Sequence, residues 1–194
     1  MPHLPHLIEF VAFTHEFQRI QRSIFAQGEE RHENDAEHSF QLALTGWYLI
    51  ESDNLPLNRI RIVELALTHD LVEVYAGDSP VFQEKTGSKD EDEKEAVQQL
   101  KKQFPGFTSL EPLLNEYKER ATEESKFVYA LDKLLPIINN YLDGGRSWKM
   151  DKVSIGRVIQ EKTAKVGISP AVNEYYPALI ELLQTKPELF GAHD

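Results

Sequence analysis

The sequence contains no cysteine, which excludes disulfides and thiolate metal ligands. Any metal it binds has to be held by imidazole and carboxylate groups. No apolar run is long enough to span a bilayer, and the opening Met1–Phe10 lacks the basic and apolar regions of a secretory signal. The expectation is a cytoplasmic protein with no membrane partner. Positive charge is scarce too: 21 Lys and Arg against 32 Asp and Glu leave a formal charge of −11. Binding to long nucleic acid needs a basic footprint that this chain does not have. A small phosphorylated substrate stays compatible, because one divalent cation and an arginine can reverse the potential inside a pocket. Repeats, low-complexity tracts and linkers are absent as well. The 194 residues, 41% of them hydrophobic, are therefore expected to form one domain over 1–194 with a sizeable core.

Helical periodicity dominates, and strand-type alternation is nowhere sustained. The pattern predicts an all-α fold with helices near 6–26, 35–52, 57–76, 90–104, 109–121, 124–142, 151–165 and 171–185. Asn34 and Glu37 form a capping box at the start of the second helix. Gly77 ends the third beside Asp78. The polar stretch Ser79–Lys89 reads as a loop of a length often used for functional lids. A second loop, Asp143–Trp148, carries two glycines beside a tryptophan that reads as exposed, and nothing in it suggests chemistry.

Ionisable residues recur where apolar ones are expected. On a helix turning about 100° per residue, His69 and Asp70 are neighbours, and Glu73 falls between them one turn on. The flanking Ile62, Val63, Leu65, Leu67, Leu71 and Val72 mark that helix as buried. His38 opens a helix that continues through Phe40, Leu42, Leu44 and Trp47. Asp132 lies in a segment apolar on every side except at Lys133, and Pro136 is expected to kink the helix there. Burying such groups costs several kcal/mol unless they are paired or bind metal. Singly, each has an ordinary explanation as a hydrogen-bonded or ion-paired core residue. Jointly, two imidazoles and two carboxylates suit a divalent ion with positions left for water and phosphate.

The order His38, His69-Asp70, Asp132 resembles the signature of the HD-domain metal-dependent phosphohydrolases. The runs Arg31–Ser39 and His69–Asp78, with Ala130-Leu131-Asp132-Lys133, resemble the branch that contains the 5′-deoxynucleotidases. The likeness covers about residues 15–145. It implies an all-helical HD fold and one divalent ion, cobalt, manganese, magnesium or zinc, on His38, His69, Asp70 and Asp132. It further implies that Glu73 handles the attacking water, that Asp78 contacts the sugar end of a nucleotide, and that an arginine orients the phosphate. Arg22 matches that arginine if one residue is inserted, and Arg19, one turn earlier, is the fallback. No histidine lies between Asp70 and Ala192, so a mononuclear site is favoured over a binuclear one.

Ser23 stands where the deoxynucleotidases tend to carry Trp, and Ser79-Pro80-Val81-Phe82 replaces their usual run after Asp78. The expected reaction is release of phosphate from a (deoxy)nucleoside 5′-monophosphate. A cyclic or triphosphate substrate stays open, as does a non-catalytic metal- or nucleotide-binding module. Homodimerisation is also open, with Leu179, Ile180, Leu182 and Leu183 covering either the core or a dimer seam. His3, His6 and His15 are assigned no role.

Overall fold

The computed structural model describes residues 3–77 and 89–191. Helix α1 (Leu4–Phe17) leads into a hairpin of β1 (Gln21–Phe25) and β2 (His32–Asn34), followed by α2 (Asp35–Ser52), α3 (Arg59–Thr68) and the short α4 (Glu73–Ala76). Then come α5 (Lys89–Gln103), α6 (Leu110–Glu119), α7 (Glu123–Leu142), α8 (Arg146–Met150), α9 (Ile155–Val166), α10 (Pro170–Asn173), α11 (Tyr176–Gln184) and a 3-10 turn at Pro187–Leu189. The all-α expectation holds, with the hairpin as a small addition. No described helix is long and apolar enough to cross a membrane.

The helix expected over 6–26 stops at Phe17, and its second half is strand. Gln21 pairs with Asn34 and Phe25 with His32 in antiparallel register. Only Ile24 is fully buried on β1, so no alternation signalled a strand. Tertiary pairing overrides the weak local helical preference here. The asparagine cap of α2 forms as expected: Asn34 accepts from Glu37 N while the Glu37 carboxylate accepts from Asn34 N. That cap fixes the direction in which α2 leaves the hairpin.

The helix expected over 57–76 is also broken. After Thr68 the bonds shorten to three-residue turns, Leu71 N to Thr68 O and Glu73 N to Asp70 O. The Thr68 hydroxyl donates to the Glu64 carbonyl at 2.8 Å, competing with the ladder where α3 ends. His69 and Asp70 therefore sit on the turn between α3 and α4 rather than in mid-helix. Helix α7, by contrast, runs as one element across Pro136. Its Thr122 and Ser125 form a second capping box.

The main core joins α2, α3, α7, α9 and α11 through residues such as Leu42, Ile62, Phe127, Val158 and Leu183. A smaller core of Phe13, Phe17, Leu71, Leu100 and Leu114 joins α1, α5 and α6. The turn carrying His69 and Asp70 runs between the two. Trp148, expected at the surface, is 4% exposed and stacks on Phe190 with ring centres 4.8 Å apart. Gly145 has φ +72°, and a Cβ there would lie 2.0 Å from the Leu189 carbonyl oxygen, so only glycine lets the C-terminal segment pass. Arg146 donates to the carbonyls of Ala26 and Glu29. The Asp143–Trp148 loop thus clasps the C-terminal segment and the hairpin.

Candidate metal centre

Three elements bring the expected ligands together. His38, in the first turn of α2, is fully buried, and so are His69 at the end of α3 and Asp132 on α7. One ligand atom each from His38, His69 and Asp70 lies within 4.8 Å of the others. That is close to the ~4 Å that two ligands span across one small divalent ion. His38 Nε2 sits 3.0 Å from Asp132 Oδ1. The other Asp132 oxygen accepts from the Tyr117 hydroxyl at 2.7 Å and pairs with Lys133 Nζ at 2.6 Å.

The donor set fits a cation. His69 Nδ1 is 2.9 Å from the Ala66 carbonyl, to which it can only donate. Nε2 of a neutral ring then presents a lone pair. It is buried with no hydrogen-bond partner, 2.9 Å from Asp70 Oδ2, which is also an acceptor. Two facing acceptors require a positive charge between them, either a proton or a metal. Burial works against protonation of His69, yet Asp70 and Asp132 outweigh it and raise the group above the ordinary imidazole range. Burial, and then the positive Arg22, push His38 down to about 4, against the pull of Asp132. His38 is therefore neutral at neutral pH, the form a metal needs. Burial would raise Asp70 and Asp132, but His69 acts against it on Asp70, and Lys133 and His38 on Asp132, so both stay below the usual carboxylate range.

Arg22 closes the site from the hairpin. Its Nη1 is 3.0 Å from both Asp35 Oδ1 and Asp70 Oδ2, its Nε 3.6 Å from Glu33 Oε2 and its Nη2 4.0 Å from Asp132 Oδ1. Four carboxylates surround one guanidinium, an excess of negative charge that a divalent ion offsets. Glu73, at the start of α4, hydrogen-bonds the Asp35 carboxylate, PLACEHOLDER Burial, then the negative Asp70, push Asp35 up to about 6 against the pull of Arg22.

Burial likewise pushes Glu33 up to about 7, against the pull of Arg22, from an ordinary 4.5. A raised carboxyl stabilises the fold at pH below its unfolded value, and that contribution is lost as pH rises through about 7. In metal-free protein, Glu33→Gln should remove a fall in stability on the order of 2 kcal/mol across this window. Urea unfolding of both proteins from acid to neutral pH checks it, and parallel pH profiles would count against a raised Glu33.

Arg19, the fallback, is exposed and pairs with Glu16 at 2.7 Å, well apart from the cluster. Asp78 and most of the Ser79–Lys89 loop lie outside the described residues. His3, His6 and His15 are exposed on α1. Sequence reading missed Glu33, Asp35 and Tyr117. Asp35 reads locally as an acidic residue at a helix start, and Tyr117 as one residue on the amphipathic face of α6; only the fold aims them at Arg22 and Asp132.

Comparison with known proteins adds an independent line. The model of the HD domain matches residues 15–173. The chain is 30% identical over 132 residues to the 5′-deoxynucleotidase HDDC2 of Xenopus laevis, covering 66% of this chain and 64% of that protein. It is 30% identical over 131 residues to the Homo sapiens protein of the same name, covering 66% of this chain and 63% of that one. The match thus spans less than two thirds of the length of these curated relatives. Among solved structures, a chain described as a predicted metal-dependent phosphohydrolase from Magnetospirillum magnetotacticum superposes with a TM-score of 0.83 at 28% identity, covering 96% of this chain and 98% of that one.

Proposed function

The chain belongs to the HD-domain family, and from that premise we propose that it is a metal-dependent phosphohydrolase releasing phosphate from (deoxy)nucleoside 5′-monophosphates. The observation that carries the reading is the buried pair of facing acceptors, His69 Nε2 and Asp70 Oδ2, beside His38 and Asp132. On this reading His38, His69, Asp70 and Asp132 hold one divalent ion. Bound there, such an ion supplies Lewis-acid polarisation of the phosphoryl group and a more acidic attacking water.

The chain's own residues do the rest. Arg22 presents guanidinium N–H donors toward the same space and clamps the phosphate, its orientation held by Asp35 and Glu33. Glu73, hydrogen-bonded to Asp35, accepts the proton of the attacking water. Tyr117 and Lys133 hold one Asp132 oxygen, which leaves the other facing His38. Asp78 is assigned the sugar end on the strength of the family likeness and of the named deoxynucleotidase relatives.

Phosphate release from a panel of ribo- and deoxynucleoside 5′-monophosphates, with cyclic and triphosphate analogues, tests the proposal in cobalt, manganese, magnesium and zinc. Turnover of monophosphates that a chelator abolishes is expected. Turnover only of cyclic or triphosphate compounds would move the substrate class. Metal binding without turnover on any of them would make the chain a binding module.

A further inference from the structure

Helix α9 breaks its own pattern at one position. Val158, Lys162 and Val166 fall at four-residue spacing on the stripe that packs against α7, and both valines are buried, 2% and 0% exposed. The middle position of such a stripe calls for an apolar side chain. Lys162 occupies it and is 6% exposed. Elsewhere in the described structure the buried charges have partners: Asp132 has Lys133 and Tyr117, and Arg22 has Asp35 and Asp70. Lys162 makes no ion pair or hydrogen bond with a described residue, and a buried ammonium without a counter-ion costs several kcal/mol.

The position of this charge is informative. Lys162 lies in the electrostatic field of Lys133, Asp132 and Arg22, three groups of the centre described above. Its only favourable neighbour among them, Asp132, is already engaged by Tyr117, Lys133 and His38. Burial, and then Lys133, push Lys162 down to about 8, so it still carries its charge at neutral pH. A cation kept at such cost beside Arg22 is matched by an anion arriving from outside the chain.

We propose that Lys162 is a substrate-binding residue that, together with Arg22, contacts the dianionic phosphoryl group of the phosphate ester. The proposal rests on the phosphohydrolase reading and adds a contact from α9, beyond the stretch 15–145 that carries the sequence likeness. It explains why an apolar position on a core helix is given to lysine. Lys133 is tied to Asp132, and Arg22 to Asp35 and Asp70; Lys162 is the cation left to match the second phosphoryl charge.

The test compares wild type with Lys162→Met and Lys162→Arg by monophosphate turnover and by inorganic phosphate, the latter as a competitive inhibitor and as a thermal stabiliser. Lys162→Met is expected to raise KM and the phosphate inhibition constant at least ~10-fold, and Lys162→Arg to restore part of both. Without phosphate the methionine variant should melt no lower than wild type, since it removes an uncompensated buried charge. An active wild type whose methionine variant keeps its KM and its phosphate affinity overturns the proposal alone. So does a methionine variant that melts lower in the absence of phosphate while its phosphate affinity is unchanged, because Lys162 then acts structurally. Phosphate binding that needs Lys162 in a protein inactive on every ester supports the anion site and overturns the phosphohydrolase reading. A wild type that neither turns over nor binds phosphate overturns both.

Discussion

Asp70→Ala is expected to remove the bound divalent ion and to lower kcat/KM by at least ~10³-fold. The size follows from what this carboxylate touches. Asp70 Oδ2 is 2.9 Å from His69 Nε2 and 3.0 Å from Arg22 Nη1, so it joins the metal ligands to the phosphate clamp. Its loss leaves His69 Nε2 facing no acceptor and frees one side of Arg22. The fold should survive, because Asp70 lies on a turn between helices rather than inside a helical ladder, and its carboxylate is the most exposed of those around Arg22, at 15%. Metal content after gel filtration, together with turnover, checks this. Retained stoichiometric metal with full turnover would remove Asp70 from the proposed centre.

Glu73→Gln should separate metal binding from chemistry. Glutamine keeps the shape and a donor for Asp35, so the clamp of Asp35 on Arg22 is preserved. What it lacks is a group that can take a proton from water. The expected result is unchanged metal content and near-unchanged KM, with kcat lowered by about 10²–10⁴-fold, the usual worth of a positioned general base. The variant should also lose whichever limb of the kcat–pH profile belongs to ionisation of the Glu73 and Asp35 pair, whose shared hydrogen bond makes them titrate together. A rate within a few-fold of wild type would point to a water-handling group other than Glu73.

Taken together, these two variants and Lys162→Met divide the site by function. Asp70→Ala reports on the ion, Glu73→Gln on proton transfer and Lys162→Met on ground-state binding of the phosphoryl group. Each has a different signature in metal content, kcat and KM.

The amino-acid sequence by itself determined the helical class, the caps at Asn34 and Thr122, and the candidacy of His38, His69, Asp70 and Asp132. These are local properties: a capping box is read over four residues, and a charge within an apolar run is anomalous wherever the run ends up. The hairpin at Gln21–Asn34 was not legible, because its pairing joins segments with no alternating pattern and holds only against α7 and α8. The same non-local packing moved Arg22 from an expected helix face to a strand, where Arg19 could no longer substitute for it. It also broke α3 at Thr68, so that His69 and Asp70 project from a turn instead of sharing a helix face with Glu73. Tertiary structure alone decided which charges meet. Asp35 and Glu33 reach Arg22, Tyr117 reaches Asp132, and Lys162 faces the centre from a helix about thirty residues downstream of Asp132. Electrostatic partnership depends on separation in space, and separation along the chain carries no information about it until the core has folded.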